Sequence, residues 1–345
     1  MSWSKDMIFG AASAAYQVEG AYNCDGRGLS IWDALSDGYV KHGDNGNTAC
    51  DEYHRFREDI ALMKKLNLQA YRFSVSWPRI IPKEGVVNEK GIRYYQNLVD
   101  EVLAQGMIPM VTLYHWDLPM WMHGKGGWYA DEIADQFASY VEVVVDALSD
   151  RVKYWMTMNE AATFIGAGYL EGVHAPFETV SRDAEDYEEK VSVLTKHVLL
   201  AHGRAVQIIR KKAKLQPVIG IAMDGKFFLP DSEEEKDIEY ARQETYTEDV
   251  DCHRINWWLD PICKGTVNPV LQKKISAEEM EVIHQPIDFI GYNCYKANNF
   301  DDDDGRNPSV KPGMPRTAMG WNITPDALYW SVRFLHDRYG LPVLI

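Results

Sequence analysis

The sequence predicts an α/β protein of the (β/α)8 or TIM-barrel type, and three observations carry that prediction. Seven short apolar runs, rich in β-branched and aromatic residues, alternate with longer stretches of helical periodicity. The segments between successive runs are too long for hairpins, which makes the strands parallel. Polar side chains gather where the runs end, and in this architecture chemistry collects at the C-terminal rim of the strands. An open doubly wound sheet also fits the alternation, yet no G-x-G-x-x-G or Walker A sequence follows any run. No linker divides the chain, so residues 1–345 read as a single domain.

Ile8 to Ala12 reads as the first strand and leads into Ser13 to Gly20, a small-residue-rich, close-packed loop. After a glycine-rich segment, Tyr53, Phe56, Ile60, Met63 and Leu66 form a helical stripe. Ala70 to Trp77 is the second strand, stopped by Pro78; the helix after it is capped by Asn88 and ended by Gly106. Ile108 to Tyr114 is the third strand, and the helix beyond Asp131 buries Ile133, Phe137, Tyr140, Val141 and Val144. Tyr154 to Met158 is the fourth, followed by a long helix from Tyr187 to Lys212 and the fifth strand, Val218 to Met223. Glu233 to Trp258 reads as largely helical, and Ser276 with Glu279 has the spacing of a capping box. Ile287 to Tyr292 is the sixth strand. Pro325 stands at the first position of a helix closed by Gly340, and Leu341 to Ile345 is the seventh run.

The fourth run ends abruptly in Asn159 and Glu160. A carboxyl group at the end of a buried strand is desolvated, which raises its pKa and suits a general acid that must keep its proton near neutral pH. Read from the strand alone, Glu160 serves equally well as an ordinary opening residue for the next helix. Gln17, Arg72, His115, Trp116, Asn293 and Tyr295 stand at the other strand ends.

Composition narrows the class. With 345 residues, 46% of them apolar, the chain can bury a large core, and its net charge of −15 without a basic stripe argues against nucleic acid as a partner. The five cysteines are scattered and include no C-x-x-C pair, so neither zinc nor a redox motif is implied, and a reducing cytoplasm is the expected location. No long apolar region predicts a signal peptide or a membrane partner. Asp301 to Asp304 reads as a solvated surface loop rather than a calcium site, because the EF-hand spacing and its terminal Glu are missing.

Taken in order, five stretches give a resemblance that covers the whole chain. They are Ala15-Tyr16-Gln17-Val18-Glu19-Gly20, Arg72-Phe73-Ser74-Val75-Ser76-Trp77-Pro78-Arg79, Thr112-Leu113-Tyr114-His115-Trp116-Asp117-Leu118-Pro119, Thr157-Met158-Asn159-Glu160 and Asp288-Phe289-Ile290-Gly291-Tyr292-Asn293-Cys294-Tyr295. The sequence resembles the family 1 glycoside hydrolases, the retaining β-glucosidase group. That resemblance implies a small carbohydrate substrate, no metal or organic cofactor, and Glu160 as acid/base. It also implies that Gln17, His115 and Asn159 hydrogen-bond the sugar hydroxyls, with Asn159 on the 2-hydroxyl, where a contact strengthens in the transition state. Asn293 joins this binding set. Arg72 and Tyr295 resemble the residues that flank the nucleophile, and Trp116 offers a ring for stacking on a sugar face.

The sequence departs from the family pattern at its end. A retaining enzyme uses two carboxyl groups about 5 to 5.5 Å apart. The family's second one lies in a Thr-Glu-Asn-Gly-like run after the seventh strand, where these residues stop. The expectation is a barrel incomplete at its C-terminus, made active by a complementing C-terminal segment or chain. Two other readings remain: a 6-phospho-β-glucosidase, although Tyr16 before Gln17 fits the non-phosphorylated branch better, and an inactive sugar-binding or scaffold barrel.

Overall fold

The computed structural model describes residues 7–297 and 315–345, so the acidic run Asp301 to Asp304 lies outside the described residues. One sheet of seven parallel strands organises the molecule: β1 Gly10–Ala12, β2 Ala70–Ser74, β3 Ile108–Thr112, β4 Tyr154–Asn159, β5 Val218–Met223, β6 Phe289–Tyr292 and β7 Val343–Leu344. Each strand pairs with its neighbour in sequence, as repeated βα units require. The sheet curls, so that Ala12 at the end of β1 and Ile345 beyond β7 line one hollow. Among the described residues no ladder joins β1 to β7.

Alternation along the strands sorts side chains into two cores. Ala70, Met110, Met156, Ala222 and Phe289 pack together inside the barrel, with Leu344 against them. The opposite face of the strands, including Tyr71, Phe73, Val111, Trp155 and Ile221, joins a much larger cluster under the surrounding helices. The helix Ile133–Leu148 shows why these helices form. Its Phe137, Tyr140, Val141, Val144 and Leu148 recur at helical spacing and are sealed from water. Burial of each such side chain contributes about 1.5–3 kcal/mol before entropy is subtracted.

The expected helices Glu52–Lys65, Glu89–Ala104 and Tyr187–Lys212 are present, and so are the Asn88 cap and the Ser276/Glu279 capping box. Four expectations need correction. Ser13 to Gly20 contains a helical turn, Ala15–Val18, whose first amide is taken by Ser74 Oγ at 2.7 Å. β2 ends at Ser74, and Trp77–Ile80 is helical; Pro78 fits there because the first turn of a helix needs no N–H from it. Glu233 to Trp258 breaks into Glu235–Thr245 and a second helix, Ile255–Lys264. Pro325 stands one place before the helix Asp326–Tyr339 rather than at its first position.

A buried ion pair ties the Gln17-bearing turn to the barrel. Arg79 Nε donates to Glu19 Oε2 at 2.9 Å, and the hydroxyl of Tyr95 donates to the other oxygen of Glu19. Glu19 and Arg79 come from two of the five stretches named above, so those stretches carry support as well as chemistry.

Candidate active site

β4 does not end as a regular strand. Met156 pairs with Gly220 and Asn159 with Ala222, so β4 spends one residue more than β5 over this interval. Such a bulge re-aims the side chains beyond it. Glu160 follows with φ 51°, a left-handed conformation that costs on the order of 1 kcal/mol or more for a residue with a Cβ. Its N–H is fixed by Ala222 O at 2.8 Å, while its carbonyl accepts from Thr163 and Phe164 in the next helical turn. Glu160 does occupy the residue before the helix Ala161–Ile165, but its side chain caps nothing. In a regular strand neighbouring side chains point to opposite faces. Here Asn159 and Glu160 are both tied to the Asn293 amide.

Glu160 is 2% exposed and lines a cavity of about 550 Å³. Its Oε1 accepts from Asn293 Nδ2 at 2.5 Å and from the Tyr295 hydroxyl at 2.9 Å. Oε1 is therefore engaged twice, which leaves Oε2 to carry a transferable proton. Burial, with the charge of Asp224 added, pushes Glu160 up to about 7, against the pull of Asn293, Tyr295 and Arg72. The group is thus poised between its two protonation states near neutrality.

Asn159 is the hub of the remaining network. Its Oδ1 accepts from Arg72 Nη2 at 2.5 Å and from Asn293 Nδ2 at 3.0 Å, so its amide nitrogen is the atom turned toward His115 Nε2, 3.3 Å away. Nε2 of His115 must then accept, and the ring proton lies on Nδ1, a buried atom with no partner among the described residues. Burial and the charge of Arg72 push His115 down to about 3, which holds the ring in this neutral form. Arg72 is fixed by Thr112 Oγ1 at 2.8 Å; burial brings it down to about 10, so it remains a cation at neutral pH. Trp116 adopts φ 75° and donates through Nε1 to Asn159 O at 2.9 Å.

All eight residues expected from the sequence meet around two adjoining hollows. Trp116, Asn293 and Tyr295 line both of them. Gln17, Arg72 and His115 line the smaller, of about 280 Å³, while Glu160 belongs to the larger. Gln17 is exposed there, with its side chain free of hydrogen bonds among the described residues. Tyr295, expected to flank a nucleophile, bonds to Glu160 itself, and Arg72 reaches Asn159 and Asn293.

The sequence reading missed further lining of the larger hollow. Asp224, Thr163, His253, Lys226 and Trp321 stand there. Asp224 had a legible signal, because it follows β5 as Glu160 follows β4. Asp251, Cys252 and His253 bring ligand-type atoms within 4.8 Å of one another. Lys226 already holds Asp251 at 2.8 Å and Glu171 holds His253 at 2.8 Å, so this group is an ion-pair cluster in form.

The comparisons with known proteins agree with this geometry. The model of glycosyl hydrolase family 1 matches residues 1–345. Among relatives, beta-glucosidase A of Thermotoga maritima is 41% identical over 97% of this chain and 75% of its own length. Beta-glucosidase A of Acetivibrio thermocellus is 38% identical over 100% of this chain and 78% of its own length. The structure of the Thermotoga maritima beta-glucosidase in complex with deoxynojirimycin superposes with a TM-score of 0.83 at 38% identity, covering 99% of this chain and 77% of that one. In complex with castanospermine the same protein gives a TM-score of 0.85. The bulged strand, the protonatable carboxyl and the amide network around it thus belong to a glycoside hydrolase, and this chain is a member of glycosyl hydrolase family 1.

Proposed function

We propose that this chain hydrolyses terminal β-glucosyl residues of β-glucosides and short oligosaccharides with retention of configuration, Glu160 serving as acid/base. The observation that carries the reading is the Glu160 carboxyl, buried, pushed up to about 7 and held, among the described residues, through Oε1 alone, so that Oε2 is left for the substrate. In the first step a partner carboxylate bonds to the anomeric carbon as the C–O bond to the leaving group breaks, the electron pair of that bond goes to the leaving oxygen, and that oxygen takes the Oε2 proton. In the second step Glu160, now a carboxylate, takes a proton from water as the water attacks the anomeric carbon, and the bond to the partner carboxylate breaks and returns that group as a carboxylate. Asn159 meets the 2-hydroxyl, and Gln17, His115 and Asn293 bind the glycone beside Trp116. Glucose as the glycone is supported by the named activities of the relatives.

The partner carboxylate is, in this reading, supplied by a segment corresponding to the remaining quarter of the relatives, which also covers the edges of β1 and β7 that are unpaired among the described residues. The test is Glu160→Ala in the enzyme carrying that segment, assayed with azide. An activated aryl glucoside needs little protonation and azide needs no base, so turnover of that substrate should be rescued while cellobiose is not cleaved. Full activity of the variant on cellobiose would refute the assignment.

A further inference from the structure

Glu160 and Asp224 end neighbouring strands and line the same cavity. Three backbone and side-chain bonds fix them relative to each other. Glu160 N–H donates to Ala222 O at 2.8 Å; Thr163 N–H donates to Glu160 O at 3.0 Å; and Thr163 Oγ1 donates to Asp224 Oδ2 at 2.6 Å. Asp224 Oδ1 is sealed from solvent and has no hydrogen-bond partner among the described residues. The hydrolytic role of Glu160 gives this second carboxylate no task.

We propose that Asp224 is a positioning residue for the reaction: its carboxylate, held by Thr163 on the wall shared with Glu160, keeps the transferable proton on Glu160 until the leaving oxygen arrives. This rests on Glu160 being the proton donor. Two carboxyl groups sharing a low-dielectric wall do not ionise together without cost, so one carries the charge and the other the proton. The charge belongs to Asp224, the carboxyl type that ionises first in water; held by the Thr163 hydroxyl, it raises Glu160. Glu160 then keeps its proton, and after giving it up is the stronger base for water.

The groups facing the pair are accounted for. Arg72 from β2, with Asn293 and Tyr295 beyond β6, pull Glu160 toward its charged form. Burial pushes Asp224 up as well, against the pull of Thr163 and His253. His253 is itself paired with Glu171, and Lys226 and Arg182 lie against Asp251 at 2.8 and 3.6 Å. His174, Tyr292 and Lys296 complete the charged and titratable lining among the described residues.

Asp224→Asn tests the proposal in the active enzyme, because Asn keeps an oxygen for Thr163 and removes only the charge. The basic limb of the kcat/KM profile on cellobiose should move to lower pH by about one unit, with the acidic limb in place. Thr163→Val, which leaves both carboxyls and removes the donor that favours charge on Asp224, should move the same limb in the same direction by less. A folded, active Asp224→Asn enzyme with an unmoved basic limb would show that Asp224 only anchors the helical turn and would overturn the proposal. If that variant does not fold, an unmoved limb in Thr163→Val does so instead. A parent enzyme without glycosidase activity would be a failure of the functional reading, a separate result.

Discussion

The Asn293 amide nitrogen donates to two oxygens at once, Glu160 Oε1 at 2.5 Å and Asn159 Oδ1 at 3.0 Å. It therefore couples the proposed proton donor to the residue proposed for the 2-hydroxyl. A hydrogen bond to a charged group contributes about 1.5–3 kcal/mol, so Asn293→Ala should lower glucoside kcat/KM by roughly ten- to a hundredfold. The lost bond favoured the carboxylate form of Glu160. The basic limb should consequently move to higher pH, opposite to the Asp224→Asn shift, and a pH–rate series on the two variants separates them.

His115 and Gln17 make a second, sharper comparison. His115 is locked as a neutral acceptor by Asn159, whereas the Gln17 side chain has no hydrogen bond among the described residues. Removing His115 perturbs the resting site and the sugar contact together; removing Gln17 affects the sugar contact alone. His115→Ala should cost about 1–3 kcal/mol of transition-state binding and Gln17→Ala the lower end of that range. Steady-state kinetics on a β-glucoside checks both, and values within twofold of the parent would remove the pair from the glycone shelf.

The long helix Tyr187–Lys212 carries Gly203 at a close crossing. A Cβ built there would lie 1.9 Å from the carbonyl oxygen of Val282, at the end of the helix Ala277–Ile283. Helix propensity favours Ala over Gly by about 1 kcal/mol, but here the backbone contact decides the sign. Gly203→Ala should lower the denaturation midpoint, with a cost of about 1–3 kcal/mol from forcing the helices apart. A midpoint equal to or above the parent's would mean that the crossing opens without penalty.

His202 predicts acid sensitivity. It is fully buried, its Nδ1 lies 2.8 Å from Thr157 Oγ1, and burial pushes it down to about 3. Above about pH 6.5 both folded and unfolded states hold a neutral ring, so pH has no effect through this group. As pH falls from about 6.5 toward 3 the unfolded state binds a proton that the folded state refuses, and stability is lost by up to about 1.4 kcal/mol per pH unit. Denaturation at pH 7 and pH 5 should show this loss in the parent and a smaller one in His202→Gln.

By itself the sequence determined the order of strands and helices, because buried strands and amphipathic helices write different periods into the chain. It also determined the list of strand-end residues that meet at one rim, since parallel βα units send every C-terminal strand end the same way. The helical turn Ala15–Val18 was illegible, because small residues suit a tight turn and a loop alike. Asp224 was legible as a strand-end residue, but that it lines the same hollow as Glu160 was not.

Only the tertiary structure decided how those residues act. The extra residue in β4 and the left-handed conformation at Glu160 follow from pairing with β5, a contact 60 or so residues away that no local pattern encodes. That bend brings Asn159 and Glu160 to one amide, leaves Oε2 free, and sets the acceptor nitrogen of His115 toward Asn159. Residue types name the donors and acceptors a site can use. Which atom bonds to which, and hence where the proton sits, is fixed only when distant strands come within hydrogen-bond distance.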